Sequence, residues 1–368
     1  MAEIKKLFFR IPDFLGKDEE VCLAVLIRTS GSTPQVPGAA ALFSQSGLLL
    51  GTLGGGLLEA EAGGLAVRSL KDGDGRPRLA EIRLDNELAE KDGAVCGGSA
   101  EVLIDPAVRE SAAVFFEAKR SLSDRRPGVF LTFIEQPSSP DLHLSRRWIS
   151  EDTLMKPAVI GLEGFADRVC QIYADGLPGL FCPAGKGKDF LLFVEPVFPL
   201  PRLVIAGAGH VGRAVAHLGG LLDFEVTVVD DRPEYANPGR FPDAARIVVD
   251  DIGQAVAEFP VDRDTYVVIV TRGHSRDAEA LRACVRSDAA YIGMIGSRRK
   301  VRLTREEFLN KGWASPEEMA RVHSPIGLEI GSRTVDEIAV SIAAELVSVR
   351  SLRKETEFRG YRSEFENG

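Results

Sequence analysis

The chain has 368 residues, 45% of them hydrophobic, enough to bury the cores of two domains. Its 45 Lys and Arg against 54 Asp and Glu leave a formal charge of -9 with no long basic block, which argues against a nucleic-acid binder. No run approaches 18 uncharged apolar residues, and the opening MAEIKKLFFRIPDF is too polar for a signal peptide, so a cytoplasmic protein with no membrane association is expected.

In chain order, residues 5–15 read as a short docking helix or strand and 21–29 (VCLAVLIRT) as a buried strand. SGSTPQVPG at 30–38 is a loop by its Ser, Gly and Pro content. AAALF and GLLLG suggest two hairpin strands, and GTLGGGLLE at 51–59 leads into a helix from about residue 57. Strands are predicted near 79–84, 101–104 and 129–134, with a helix over 107–121. Residues 136–155 read as polar and irregular, and further strands are predicted near 157–160, 170–173 and 190–194. This pattern is α+β. EPVFPLPRL at 195–203 reads as a stiff linker, because its three prolines favour extended backbone.

Beyond the linker the pattern becomes regular. Strands are predicted at 203–206, 225–229, 246–249, 266–270 and 290–293, with helices at 210–222, 275–286 and 297–310. Capping boxes open two more helices, at Ser315 to Glu318 and at Thr334 to Glu337, the second running to about Arg350. Alternation of this kind predicts a mostly parallel sheet with helices on both faces. The expected division is an α+β domain over 1–198, a Rossmann-like domain over 199–352 and a charged, frayed tail over 353–368.

Gly207-Ala208-Gly209-His210-Val211-Gly212 follows a strand and opens a helix, the context in which G-x-G-x-x-G seats a diphosphate on a helix N-terminus. Asp230 ends the next strand, about 20 residues on, where a ribose hydroxyl would be held. Asp231 and Arg232 follow it directly. Two further loops, TRGHSRD at 271–277 and GMIGSRRK at 293–300, end predicted strands and carry Arg272, His274, Gly296, Ser297, Arg298, Arg299 and Lys300 toward the same crevice as candidate anion ligands.

In the first domain, GTLGGGLLE places Gly54, Gly55 and Gly56 before a helix. No Lys-Ser/Thr follows Gly56, so a P-loop is excluded; close backbone approach to a bulky ligand remains, with Glu59 shaping the turn or positioning a polar group. Cys96, in VCGGSAEV, is flanked by glycines and is the candidate reactive thiol. Cys22, Cys170 and Cys284 are expected to be structural. The five cysteines contain no CxxC pair and the five histidines no HxxxH or HExxH spacing, which excludes a local zinc or disulfide framework.

RTSGSTPQVPGA, GTLGGGLLE, VCGGSAEV, GAGHVGRAVA, VVDDR, YIGMIGSRRK and PIGLEIGSRTVDEIAVSIAAE, in that order over about residues 20–350, resemble the XdhC/CoxI family of xanthine dehydrogenase accessory factors. The resemblance implies a chaperone that binds molybdenum cofactor in its plain or dinucleotide form, supports its sulfuration by a cysteine desulfurase and delivers it to an apo molybdenum hydroxylase. It carries Gly54, Gly55 and Gly56, Cys96, and Gly207, Gly209, His210 and Gly212 over as cofactor-handling positions. Cys96 becomes the candidate metal ligand and, with Glu59, the candidate catalytic group, while Ser30 and Ser32 line the approach beside Arg28. The expected ligand lies between the glycine loops of the two domains, and a homodimer is expected. Two positions depart from the family's pattern: Leu57 stands where many relatives have Cys, and Arg272 where many have a second His. An NAD(P)-dependent oxidoreductase, with His274 as proton donor, and a non-catalytic scaffold with a relic Rossmann domain are the alternatives.

Overall fold

The computed structural model describes residues 2–17, 19–84, 98–135, 142–156, 164–183 and 189–366. The chain divides into two compact units, Met1–Pro199 with Phe358–Gly368 and Leu200–Glu357.

In the first unit, strands β1 (Cys22–Ser30), β2 (Ala40–Ser44), β3 (Gly47–Gly51), β4 (Arg78–Arg83) and β5 (Ser99–Asp105) form an antiparallel sheet of order β3-β2-β1-β5-β4. The continuous apolar run of β1 is explained by burial on both faces. Cys22, Ala24 and Leu26 pack with Leu58, Ala62 and Ala66 of helix α2 (Gly56–Lys71). Leu23, Val25 and Ile27 face the other way, into a core shared with helices α1 (Ala2–Leu15) and α3 (Ala112–Ser123). A four-stranded antiparallel sheet closes that core, built from β6 (Gly128–Glu135), β7 (His143–Ser150), β8 (Gly179–Phe181) and β9 (Phe190–Val197) in the order β7-β6-β9-β8. Phe8, Phe115 and Phe130 meet at its centre, with Phe130 4.9 and 4.8 Å from the other two rings.

Two expectations change here, and a third is untested. Within 136–155, read as irregular, β7 pairs along the whole of β6 and a short helix α4 (Glu151–Leu154) follows. The adjacent Arg146 and Arg147 disguise its alternation, since Arg146 is buried against Asp105 at 2.6 Å. Residues 170–173 lie in a helix, α5 (Ala166–Asp175), because Val169, Ile172 and Tyr173 are buried at helical spacing and Gly176 ends the helix at φ 64°. The strand expected at 157–160 lies outside the described residues.

The second unit is a six-stranded, all-parallel sheet of β10 (Arg202–Ala206), β11 (Glu225–Asp230), β12 (Arg246–Val249), β13 (Thr265–Ile269), β14 (Tyr291–Met294) and β15 (Val322–His323). Its order, β12-β11-β10-β13-β14-β15, reverses between β10 and β13, the switch point at which open α/β sheets bind ligands. Helices α6 (His210–Leu221) and α11 (Val335–Glu366) cover one face. Helices α7 (Ile252–Glu258), α8 (His274–Cys284), α9 (Arg298–Asn310) and α10 (Pro316–Ala320) cover the other. Both predicted capping boxes form, at Ser315 with Glu318 and at Thr334 with Glu337. The tail expected to fray from 353 instead continues α11 to Glu366, as its Arg, Lys and Glu content favours.

Glu195 of β9 points into the core between the two sheets of the first unit and is 6% exposed. Burial pushes its carboxyl up to about 8, against the opposing attraction of Arg146. A carboxyl raised in the folded state penalises folding once the unfolded chain ionises. The penalty is absent below the ordinary value of 4.5, grows as pH rises and is complete above about 8. Unfolding of wild type and Glu195→Gln followed from pH 4 to 9 should show wild type losing stability across this interval relative to the variant. Parallel pH profiles would contradict the assignment.

Candidate functional site

The carboxyl ends of β10, β11 and β13 meet around the GAGHVG loop. Gly207 adopts φ 120°, and a Cβ there would lie 2.5 Å from the Val270 carbonyl oxygen, so only glycine passes between the strand ends. A Cβ at Gly212 would overlap the Gly207 carbonyl oxygen, so the bare residue lets α6 sit directly on the loop. Gly209 differs: nothing lies within 4 Å of where its Cβ would be, and no side chain caps α6. The start of α6 thus has open space beside Gly209 and no capping side chain at the positive end of the helix. His210 is exposed at the same turn.

The acids and bases around this loop are largely spent on one another. Asp230, expected to hold a ribose, instead accepts from Arg232 Nε at 2.8 Å, Arg232 Nη2 at 2.9 Å, and the amides of Arg232 and Ala208 at 3.1 and 2.8 Å. Burial works to raise this carboxyl, but Arg232 and the Ala208 amide outweigh it and hold it below the usual range. Asp231 collects Arg276 at 2.8 Å and Arg272 at 3.3 Å, so Arg272 is held as an ion-pair partner rather than as a free anion clamp.

In the next loop, Asp277 is fully buried and accepts from the Thr271 hydroxyl at 2.6 Å, from the Thr271 amide at 3.1 Å and from Lys300. Lys300, expected at the crevice as a cation for ligand, thus ties the loop after β14 to the loop after β13. Ser297 caps α9 through the Lys300 amide, and Gly296 packs against the Lys300 side chain. Arg298 pairs with Glu329 at 3.0 Å, while Arg299 is exposed. His274 opens α8 with Nε2 3.7 Å from Glu307. Glu345 of α11 accepts from the Gly327 amide of the PIGL loop at 2.8 Å and from Tyr291, and lies 3.0 Å from His323 Nδ1.

In the first unit, Ser30 at the end of β1, Ser32, Gly54 and Gly55 in loops, and Gly56 and Glu59 in the first turn of α2 lie at one end of the five-stranded sheet. Gly54, Gly55 and Gly56 have φ of 102°, 72° and 59°. A Cβ on Gly54 would come within 2.8 Å of Gln35, whereas Gly55 and Gly56 face open space. Glu59 reaches back from α2 to accept from Thr52 at 2.5 Å and from the Leu53 and Gly55 amides at 2.9 and 3.4 Å. Partial burial works to raise its carboxyl, but the bonds from Thr52, Leu53 and Gly55 outweigh this and lower it. Its visible role is therefore to hold the turn. A Cβ on Gly98 would overlap the carbonyl oxygens of Ser32 and Ser30, so the strand after the CGG motif lies directly against that loop. Arg28 pairs with Glu101 at 3.3 Å. Cys96 itself lies outside the described residues. Cys22 and Cys284 are buried, and burial pushes both thiols up to about 12, as suits structural cysteines.

Thr52, Thr271, Asp277, Tyr235 and Arg240 are site residues that the sequence reading missed. A Thr at a strand end with an acid six or seven positions on, inside the next helix, was the available signal for the Thr52–Glu59 and Thr271–Asp277 pairs. Among the described residues no cluster of three or more His, Cys, Asp or Glu is arranged to hold a metal, and no helix is long and apolar enough to cross a membrane.

Residues 203–346 match the XdhC Rossmann domain, and residues 15–82 match the XdhC and CoxI family. A Bacillus subtilis strain 168 protein named as a probable xanthine dehydrogenase subunit is 26% identical over 345 residues, 93% of this chain and 97% of that protein. Two Escherichia coli K12 proteins match over shorter stretches. "Uncharacterized protein YqeB" is 40% identical over 166 residues, and "Molybdenum cofactor insertion chaperone PaoD" 30% over 157 residues. These stretches cover 45% and 43% of this chain but only 30% and 42% of the respective relatives. A crystal structure described as a xanthine dehydrogenase from Bacillus halodurans shares the fold at a TM-score of 0.72 and 24% identity, covering 94% of this chain and 96% of that one.

Two measurements follow from this geometry. Gly212→Ala should cost about 2–3 kcal/mol in chemical denaturation, because the overlap is with backbone, while Gly209→Ala should change stability by less than about 1 kcal/mol. Equal costs would show that the loop does not pack as described. Glu59→Gln should lower the unfolding midpoint of the first unit at pH 7. Because the carboxyl is depressed, its contribution is present above the ordinary 4.5 and lost as pH falls through the lower folded value, so wild type and variant should converge in acid.

Proposed function

The chain belongs to the XdhC/CoxI family, and from that premise we propose that it is an accessory protein that binds molybdenum cofactor, supports its sulfuration and delivers it to an apo molybdenum hydroxylase. The observation that carries this reading is the crest of the parallel sheet. Uncapped amides of α6 open past Gly209, and the carboxylates around them are already neutralised by Arg232, Arg272, Arg276 and Lys300. An anionic group arriving there meets peptide N–H donors and little residual negative charge.

The phosphate of a pterin cofactor fits this cradle, with the amides at Gly209 and His210 as its donors. When bound, the cofactor would supply a dithiolene-held molybdenum that carries a terminal sulfur. This chain's contribution is to hold the phosphate end and to keep the reactive end covered. Gly55 and Gly56 leave backbone exposed in the first unit, on a turn that Glu59 and Thr52 make rigid. Sulfur handling is assigned to Cys96, since Leu57 offers no second thiol. The name of PaoD, an insertion chaperone for molybdenum cofactor, supports the reading. An apo-hydroxylase, a cysteine desulfurase and a second copy of the chain are the proposed partners.

The decisive experiment is anaerobic co-expression in molybdenum-replete cells, with pterin and metal quantified on wild type, Gly209→Val and Cys96→Ser. Wild type should carry both, and Gly209→Val should lose at least tenfold. Loss of cofactor in Cys96→Ser would place the thiol at the binding site. Retained cofactor that no longer activates an apo-hydroxylase would place it in sulfur handling. Wild type free of pterin and molybdenum would overturn the proposal.

A further inference from the structure

Dinucleotide-binding folds hold a ribose on the acid that ends the second strand. Here that acid is Asp230, 1% exposed, and its carboxylate is filled from within. It takes four hydrogen bonds, two from the Arg232 guanidinium and one each from the amides of Arg232 and Ala208. A carboxylate offers about four acceptor positions, so none is left for a hydroxyl. Arg232 is itself braced. Its guanidinium carbon lies 3.9 Å from the centre of the Tyr235 ring, and its Nε is 3.8 Å from Asp231. Arg240 approaches the same ring at 5.1 Å and extends Nη2 to the Ala208 carbonyl at 3.5 Å.

We propose that Arg232, braced by Tyr235, is a specificity-determining residue that closes the ribose-and-base half of this crevice, so that the site takes ligands ending in a terminal phosphate and rejects those whose diphosphate runs on into a ribose at Asp230. For a ribose to reach Asp230, Arg232 must give up a bidentate charge-assisted pair and its stacking on Tyr235. The hydroxyls that replaced it would still donate to the carboxylate but carry no charge of their own, so the ion-pair attraction of the guanidinium would be lost. A terminal phosphate needs no such exchange, because the α6 amides are already free of caps. The selectivity comes from making the alternative ligand unfavourable rather than from extra contacts to the preferred one. Resting on the cofactor reading above, this names the plain pterin cofactor, not its dinucleotide form, as the ligand of this chain.

The test uses nucleotides alone, so its failure is separable from failure of the cofactor reading. Purified full-length wild type, Arg232→Ala and Tyr235→Ala are titrated calorimetrically with NADH and ADP-ribose, whose diphosphates are esterified at both ends, and with inorganic phosphate as control. Wild type should show no saturable nucleotide binding below millimolar concentration. Arg232→Ala should gain at least tenfold in nucleotide affinity, while inorganic phosphate binds more weakly because Asp230 loses its neutralising partner. Tyr235→Ala, which keeps the Asp230–Arg232 pair, should gain less. If Arg232→Ala does not fold, Arg232→Gln, which keeps a donor but neither the charge nor the fork, is read in its place. Micromolar nucleotide binding by wild type would overturn the inference, as would a variant whose nucleotide affinity stays at the wild-type level. A wild type that excludes nucleotides but carries no pterin would overturn the cofactor reading and the pterin assignment with it, and leave the exclusion of ribose by Arg232 standing.

Discussion

The second domain's site depends on one backbone contact, the seating of Gly212 against the carbonyl of Gly207. Any side chain at Gly212 would push α6 away from the end of β10. That displacement would lift the first amides of α6 off the crest and draw Ala208 away from Asp230, whose carboxylate it binds at 2.8 Å. Gly207, wedged against Val270, fixes the other side of the same turn. Three glycines thus do different work. Gly207 and Gly212 are bare because protein backbone fills the space, whereas Gly209 is bare beside space that is open.

The two domains solve a shared problem with the same device. A loop that leaves a strand and enters a helix has unpaired amides, which must be satisfied without capping the face meant for a ligand. In the first domain Thr52 and Glu59 do this: the threonine hydroxyl donates to the acid and accepts from the Gly54 amide, while the acid gathers two more amides. In the second, Thr271 and Asp277 repeat the pattern, with Gly273 in the place of Gly54 and Lys300 added because the acid is fully buried. Each loop is braced by the acid of the helix that follows it.

Five of the six parallel strands were readable in the sequence because each is a short apolar run ending in a loop of glycine, serine or charge, and because G-x-G-x-x-G falls at the first strand's end; β15, only two residues long, was not. Local chemistry decides such elements. The charge pairing was not readable. Arg272 and Arg276 reach Asp231 over some forty residues, and Lys300 reaches Asp277 from the next strand's loop. In the linear chain they are merely cations near a crevice, and the expectation of free anion ligands followed. β7 was hidden for a related reason, since its Arg146 satisfies a buried acid instead of solvent. The α5 segment shows the limit of short windows, in which Cys170 to Tyr173 resembles a strand until Val169 and the αL cap at Gly176 are counted. Cys96 rests on sequence alone, outside the described residues.

The neutralised crest bears on how an anion could be held by a chain whose formal charge is -9. At physiological ionic strength the Debye length is about 8 Å, so the net charge matters little at contact and the local field decides. Had Asp230, Asp231 and Asp277 stood unpaired beside the loop, they would have cancelled the partial positive charge at the start of α6, worth about half a unit. Pairing each with an arginine or lysine removes that repulsion without leaving a strong positive patch that would collect unrelated polyanions. What is left is a short-range field from oriented amides, selective by shape and distance. On the proposed reading this suits a carrier: the amides that hold the phosphate cannot be titrated, so they keep their donors at every pH at which the fold persists.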